Sequence, residues 1–298
     1  MITTEYIKEK LFNANYIASD QIVTTVYLAL KLKKPILIEG PAGVGKTDLA
    51  NCLSRALDLD FFKLQCYEGI DESKALYEWE YSKQLLYTQI LKDKLSEIIQ
   101  SKRLTQMVDE LNSFKSIFFS EQFLLERPLL KAIKNDKPSI LLIDEIDKSE
   151  PEFEAFLLEI LSEWQVSIPE IGIIKNKQIP LVILTSNNQR TISDALRRRA
   201  LYLHIDYPSK EIEKQILKAK IPNIDDILID KIIKVIENIR NYPLKKHPGV
   251  SEMIEWSNSL LYLNEIDVTK ENLEKTLNIL VKYKSDHELL LTKLYDLV

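Results

Sequence analysis

The stretch PILIEGPAGVGKTDLANCLSRAL, Pro35 to Leu57, decides how the rest of the chain is read. PILIEG is a short apolar run bounded by Pro35 and Gly40, the pattern of a strand buried on both faces, and DLANCLSRAL has helical spacing. Between them GPAGVGKT, Gly40 to Thr47, matches G-x-x-x-x-G-K-[ST] in the strand-to-helix context that this motif requires. Its glycines let backbone N–H groups curl around phosphate oxygens. Lys46 can reach the β- and γ-phosphates of a nucleotide, and the Thr47 hydroxyl can hold Mg²⁺. The expected cradle is Gly40, Pro41, Ala42, Gly43, Val44, Gly45, Lys46, Thr47 and Asp48.

Outward from this motif, further β-rich runs recur as FFKLQCY (Phe61 to Tyr67), SILLIDE (Ser139 to Glu145), PLVILTSN (Pro180 to Asn187) and LYLHIDYP (Leu201 to Pro208). Helical patterns separate them, which predicts an α/β fold with a parallel sheet covered on both faces. In PEFEAFLLEILSEW the residues Phe153, Phe156, Leu157, Ile160, Leu161 and Trp164 fall at helical spacing behind Pro151 and are expected in the core. After Pro208 the strand patterns stop and amphipathic helices take over. The expected division is an α/β nucleotide-binding domain over residues 1–208 and an all-α domain over 209–298. Gly69 to Glu126 breaks the α/β rhythm with ALYEWEYSKQLLY and then the long polar helical pattern KDKLSEIIQSKRLTQMVDELN, and reads as an insertion. Tyr77, Trp79, Tyr81 and Tyr87 in it are either a surface that grips a partner or the packed face of a hairpin.

The run ILLIDEIDK supplies the second half of a phosphate site. A carboxylate ending a buried strand beside the glycine loop can hold Mg²⁺ through water, and the next can activate a water, so Asp144 joins Thr47 as metal ligand and Glu145 is the base. Asp147 can be read as a solvated strand end. A net charge of −5 gives no long-range attraction to nucleic acid. Cys52 and Cys66 form no Cys-x-x-Cys, and His204, His247 and His287 are scattered, so no zinc spacing appears. The N-terminal MITTEYIKEKLF lacks a secretory apolar region and no run approaches the roughly 18 residues of a membrane span. The expected location is cytoplasmic, with peripheral attachment at the inner face of the membrane left open.

GPAGVGKT, LLIDEIDKSEPEFEAFLLEIL, LTSNNQR and RRRALYLHIDYP together resemble AAA+ ATPases, and in detail the MoxR family with its CoxD and CbbQ/NorQ-like branches. The resemblance spans about Tyr16 to Trp256. It implies a P-loop AAA+ module with a five-stranded parallel core sheet of order 5-1-4-3-2, a helix-2 insertion at Gly69 to Glu126, a hairpin at VSIPEIGIIKNKQI and a C-terminal helical lid. It also implies ATP and Mg²⁺ as cofactors and Asn187 as the sensor that orients the attacking water. An arginine finger precedes the fifth strand in such rings. That gives ISDALRRRALYLHI (Ile192 to Ile205) its function: at least one of Arg197 to Arg199 faces the γ-phosphate of a neighbouring subunit, and spacing favours Arg198 or Arg199 without separating them. The bland alternative is a solvated basic turn. Where many members carry a sensor-2 arginine, the segment HPGVSEM has Met253, which leaves three alternatives: lid sensing by Lys245, lid sensing by Lys246, or weak lid sensing.

The resemblance implies an ATP-hydrolysing remodelling chaperone, a homo-oligomeric ring expected to be a hexamer, with a von Willebrand A-domain partner protein and a metalloenzyme client. A DNA-directed motor would share every nucleotide motif, but the acidic balance and absence of a basic stripe weigh against it. An ATP-dependent scaffold with vestigial hydrolysis would not need Lys46, Thr47, Asp144 and Glu145 together.

Overall fold

In the computed structural model, which describes residues 2–89, 118–169, 171–265 and 267–298, helices α1 (Thr4–Asn13) and α2 (Asp20–Leu32) precede strand β1 (Ile36–Glu39). Helix α3 (Lys46–Leu57), strand β2 (Asp60–Gln65), a short helix α4 (Glu72–Leu76) and strand β3 (Tyr77–Trp79) follow, with helical backbone over 81–89. Strand β4 (Leu124–Glu126) pairs antiparallel with β3 and leads through α5 (Pro128–Lys134) to β5 (Ser139–Asp144). Helix α6 (Pro151–Glu163), the antiparallel pair β6 (Gln165–Ile168) and β7 (Gly172–Lys175), strand β8 (Leu181–Ser186), helix α7 (Asp194–Arg199) and strand β9 (Leu201–His204) follow.

Strands β1, β5 and β8 are apolar runs with no alternation because both of their faces are covered: every residue of each is buried. Strands β2 and β9 are half-exposed, as edges are. The five pair in parallel in the order β2-β5-β8-β1-β9, which is the expected 5-1-4-3-2 read from the other edge. Because all five run the same way, their carboxyl ends meet at one edge of the sheet. Gln65 lies in register with Asp144, and Glu39 with both Ser186 and His204. Open α/β sheets bind ligands at this edge.

Helix α6 begins with Pro151 at its first turn and buries Phe153, Leu157, Ile160 and Leu161, with Phe156 and Trp164 packed partly buried against the same core. The pairs β3–β4 and β6–β7 occupy the two regions expected to interrupt the module. Residues 92–112, read from sequence as a long polar helix, lie outside the described residues. Past Pro208 come α8 (Lys210–Lys220), α9 (Asp226–Arg240), α10 (Val250–Tyr262), α11 (Lys270–Leu280), α12 (Lys284–Leu291) and α13 (Leu294–Leu297). They share a core of their own around Ile232, Met253, Trp256 and Leu277, in which the Trp256 Nε1–H donates to Thr276 Oγ1 at 2.8 Å. Among the described residues no helix is long and apolar enough to cross a membrane.

Candidate functional site

The turn between β1 and α3 carries the glycine loop. Gly45, at φ +95°, delivers the chain into α3 with Lys46 as its first helical residue. Lys46 is 6% exposed, and its Nζ folds back to donate to the carbonyls of Gly40 (2.7 Å) and Pro41 (2.6 Å). Burial pushes the Lys46 ammonium down to about 8, against the opposing pull of Asp147, Asp144 and Glu145.

From the neighbouring strands, Asp144 ends β5 with its Oδ1 accepting from Thr47 Oγ1 (2.9 Å) and Thr185 Oγ1 (2.6 Å), while Oδ2 lies 2.8 Å from the Lys63 ammonium. Burial alone would raise this carboxyl, but the Lys63 ammonium and the Thr185 and Thr47 hydroxyls outweigh it and hold Asp144 below the usual carboxylate range. The next residue, Glu145, turns into the left-handed region (φ +57°), its N–H donating to Thr185 Oγ1 at 2.9 Å. Its Oε1 accepts from Asn187 Nδ2 (3.1 Å), and its Oε2 from Gln65 Nε2 (2.8 Å) and Lys148 Nζ (2.7 Å). Asn187, one residue past β8, thus reaches Glu145 with its amide.

Asp147 is not a solvated strand end. It is 4% exposed, and its Oδ2 accepts from the backbone N–H of both Asn187 (3.0 Å) and Gln189 (2.9 Å). One buried carboxylate therefore shapes the loop that presents Asn187. The arginine triplet divides. Arg197 turns inward and forks onto the buried carboxylate of Glu39, whereas Arg198 and Arg199 are exposed and, among the described residues, make no ion pair.

The helical region touches the glycine loop directly: Ser251 N–H donates to Gly43 O at 3.2 Å, and Lys220 Nζ lies 2.9 Å from Asp48 Oδ2. Met253 is fully buried in the helical core and faces no ligand space. Of the two lysines considered in its place, Lys245 lies over the Tyr283 ring. Lys246 pairs at 3.0 Å with Glu252, whose other oxygen accepts from Gly249 N–H beside the loop.

Two adjoining cavities result. One of about 380 Å³ is lined by Lys46, Thr47, Asp144, Glu145 and Asn187, and the other, about 820 Å³, has walls that include Tyr16, Ile17, Ile205, Tyr207, Ile216 and Ile254. Gly43, Gly45, Asp48 and Ser251 border both. A polar chamber opening into a larger apolar one suits a phosphorylated ligand with a flat heterocycle. The Thr47 hydroxyl and Asp144 carboxylate are hard oxygen donors at hydrogen-bond distance from each other, a set that fits Mg²⁺.

With this geometry in view, residues 36–208 match the model of the ATPase family associated with various cellular activities (AAA). The chain belongs to the AAA ATPase family. The match to that family begins at β1 and ends at Pro208, where the strands end. This AAA ATPase is 26% identical over 261 residues to an uncharacterized protein of Staphylococcus saprophyticus, covering 85% of this chain and 86% of that one. An uncharacterized protein of Staphylococcus haemolyticus is 25% identical over 285 residues, covering 92% and 93%. A crystal structure of a proposed ATPase from Cytophaga hutchinsonii superposes with a TM-score of 0.49 at 17% identity, covering 99% of this chain and 94% of that one.

Lys63, Gln65, Thr185 and Lys148 of the candidate site escaped the sequence reading. Lys63 and Gln65 alternate on β2, which places both on one face beside β5, and Thr185 stands two residues before Asn187; the alternation in FFKLQCY was the available signal. Lys148 lies one helical turn beyond Glu145. The aromatic insertion also divides: Tyr77 and Trp79 pack edge-on at 5.9 Å in β3, Tyr87 stands edge-on to the buried Phe123 at 5.2 Å while partly exposed, and Tyr81 is exposed.

Proposed function

We propose that this AAA ATPase is an ATP-hydrolysing remodelling chaperone of the MoxR type, a homo-oligomeric ring working with a von Willebrand A-domain partner in the maturation or activation of a metalloenzyme. The observation that carries the hydrolytic reading is the convergence of Lys46, Thr47, Asp144, Glu145 and Asn187 on one cavity at the carboxyl edge of the sheet. The MoxR-type reading is supported by the sequence motifs and by the two antiparallel strand pairs where that family carries insertions. The partner and client rest on the resemblance alone.

In this reading Lys46 exchanges its two loop carbonyls for β- and γ-phosphate oxygens and neutralises their charge. Thr47 and Asp144 would hold Mg²⁺, which would supply further charge neutralisation at the phosphates. Lys63 holds the other Asp144 oxygen, Oδ2, and keeps the carboxylate charged. Glu145 takes the proton from the attacking water and Asn187 orients that water. Lys148 and Gln65 both donate to Glu145 Oε2 and so compete with water for its lone pairs. Turnover requires that grip to loosen.

The test is Mg²⁺-dependent ATP turnover and nucleotide affinity in Lys46→Ala. Losing the ammonium is expected to weaken ATP binding and suppress hydrolysis by about 10²-fold or more. Unchanged affinity and turnover would reject the phosphate-site assignment.

A further inference from the structure

The Glu39 carboxylate is a junction that nothing in ATP chemistry requires. Only 4% exposed, it closes β1 immediately before Gly40, whose carbonyl receives the Lys46 ammonium. Arg197 forks onto it from α7 and is itself steadied by Nε donating to Ile192 O at 3.3 Å. With its amide oriented to suit the carboxylate, Asn188 donates to both Glu39 oxygens at 3.3 Å, and Tyr202 of β9 lies close enough to Glu39 that burial and the carboxylate together push its phenol up. One buried anion thus joins the root of the phosphate loop, the residue after Asn187 and the helix bearing Arg198 and Arg199.

A planar bidentate pair fixes orientation as well as distance, which a point charge does not. With Arg197 spent on Glu39, its two successors are exposed and, among the described residues, make no ion pair. We infer that Arg197 is a positioning residue: through Glu39 it ties the arginine helix to the strand that carries the phosphate loop, and it serves the neighbouring subunit's site only by aiming Arg198 and Arg199. This rests on the trans-arginine reading of those two residues. It also makes α7 the part of each subunit that follows the position of its own phosphate loop, because a shift at Gly40 moves the carboxylate on which Arg197 is anchored.

The test uses full-length chains carrying Arg197→Lys, which keeps charge and loses the fork, and Glu39→Gln, which keeps shape and loses charge. Arg198→Ala/Arg199→Ala is run in parallel, and the readouts are ATP turnover, affinity for a fluorescent ATP analogue and melting temperature. Arg197→Lys and Glu39→Gln are expected to bind the analogue as the unaltered chain does and to turn over about a hundredfold more slowly, the scale of a misplacement near 1 Å. Each is then mixed with Lys46→Ala chains after subunit exchange is verified by fluorescence transfer. Turnover should partly return, because an intact phosphate loop on the variant now meets well-aimed arginines on its neighbour. A merely structural defect would not be rescued in this direction. Wild-type turnover in Arg197→Lys, or exchange without recovery, overturns the positioning role alone. Wild-type turnover in the Arg198/Arg199 double variant removes the trans-arginine reading, and this proposal with it.

Discussion

Lys46 sets the site's clearest pH dependence. Its buried ammonium titrates at about 8, against an ordinary lysine value near 10.4. Between those values the unfolded chain holds more protons than the folded one, so stability rises with pH across that window, and below it the buried charge is a standing cost. Nucleotide phosphates favour the charged form and reverse the shift. At about pH 9, MgATP binding should therefore draw in close to one proton per site, falling to about a tenth of that at pH 7. Calorimetry in buffers of different ionisation enthalpy reads the uptake directly, and equal uptake at both pH values would contradict it. Lys46, Thr47, Asp144, Glu145 and Asn187 were legible in the sequence because each sits in a local motif whose flanks show strand or helix. Asp147, Lys63, Gln65 and Glu39 were not, because their partners belong to other strands and only sheet order brings them together.

At the scale of elements, the link between β1 and α3 leaves no room for a side chain where it begins. A Cβ on Gly40, whose φ is +152°, would lie 1.9 Å from the carbonyl oxygen of Ile205, and Ile205 N–H is itself bonded to Glu39 O at 2.9 Å. Neither backbone can give way without undoing the β1–β9 pairing. Gly69, at φ +77°, has nothing within 4 Å of the same position. Gly40→Ala is thus expected to cost on the order of 3 kcal/mol or more, and Gly69→Ala about 1 kcal/mol from backbone strain alone. Denaturant midpoints for the two variants check this, and equal losses would show that the contact with Ile205 is not what excludes a side chain. Continuous apolar runs gave away the buried strands, and their parallel order came with the resemblance. The aromatic stretch stayed ambiguous because alternate spacing in β3 gives way to helix at 81–89 within a few residues, so one pattern covers aromatics that pack and the exposed Tyr81.

At the scale of the whole molecule, the candidate nucleotide site draws on two regions of the chain, the sheet edge and the first turn of α10, where Ser251 touches Gly43; the proposed trans arginines would add a neighbouring subunit. The helical region meets the phosphate loop through Ser251 and through the Lys220–Asp48 pair. The missing lid arginine was visible as Met253. That Lys246 pairs with Glu252 in the first turn of α10, the turn that meets Gly43 through Ser251, was not, since it depends on how α10 packs. The proposed hydrolysis centres on Glu145, and Glu145→Gln tests it most directly because the amide keeps the side chain's shape and its contact with Asn187 while losing the base. Single-turnover hydrolysis of radiolabelled ATP is measured alongside ATP affinity and light-scattering mass. The variant is predicted to bind ATP about as tightly as the unaltered chain, to stay assembled with ATP present, and to hydrolyse it about 10² to 10⁴ times more slowly. Hydrolysis at the unaltered rate would show that Glu145 is not the base and would contradict the account.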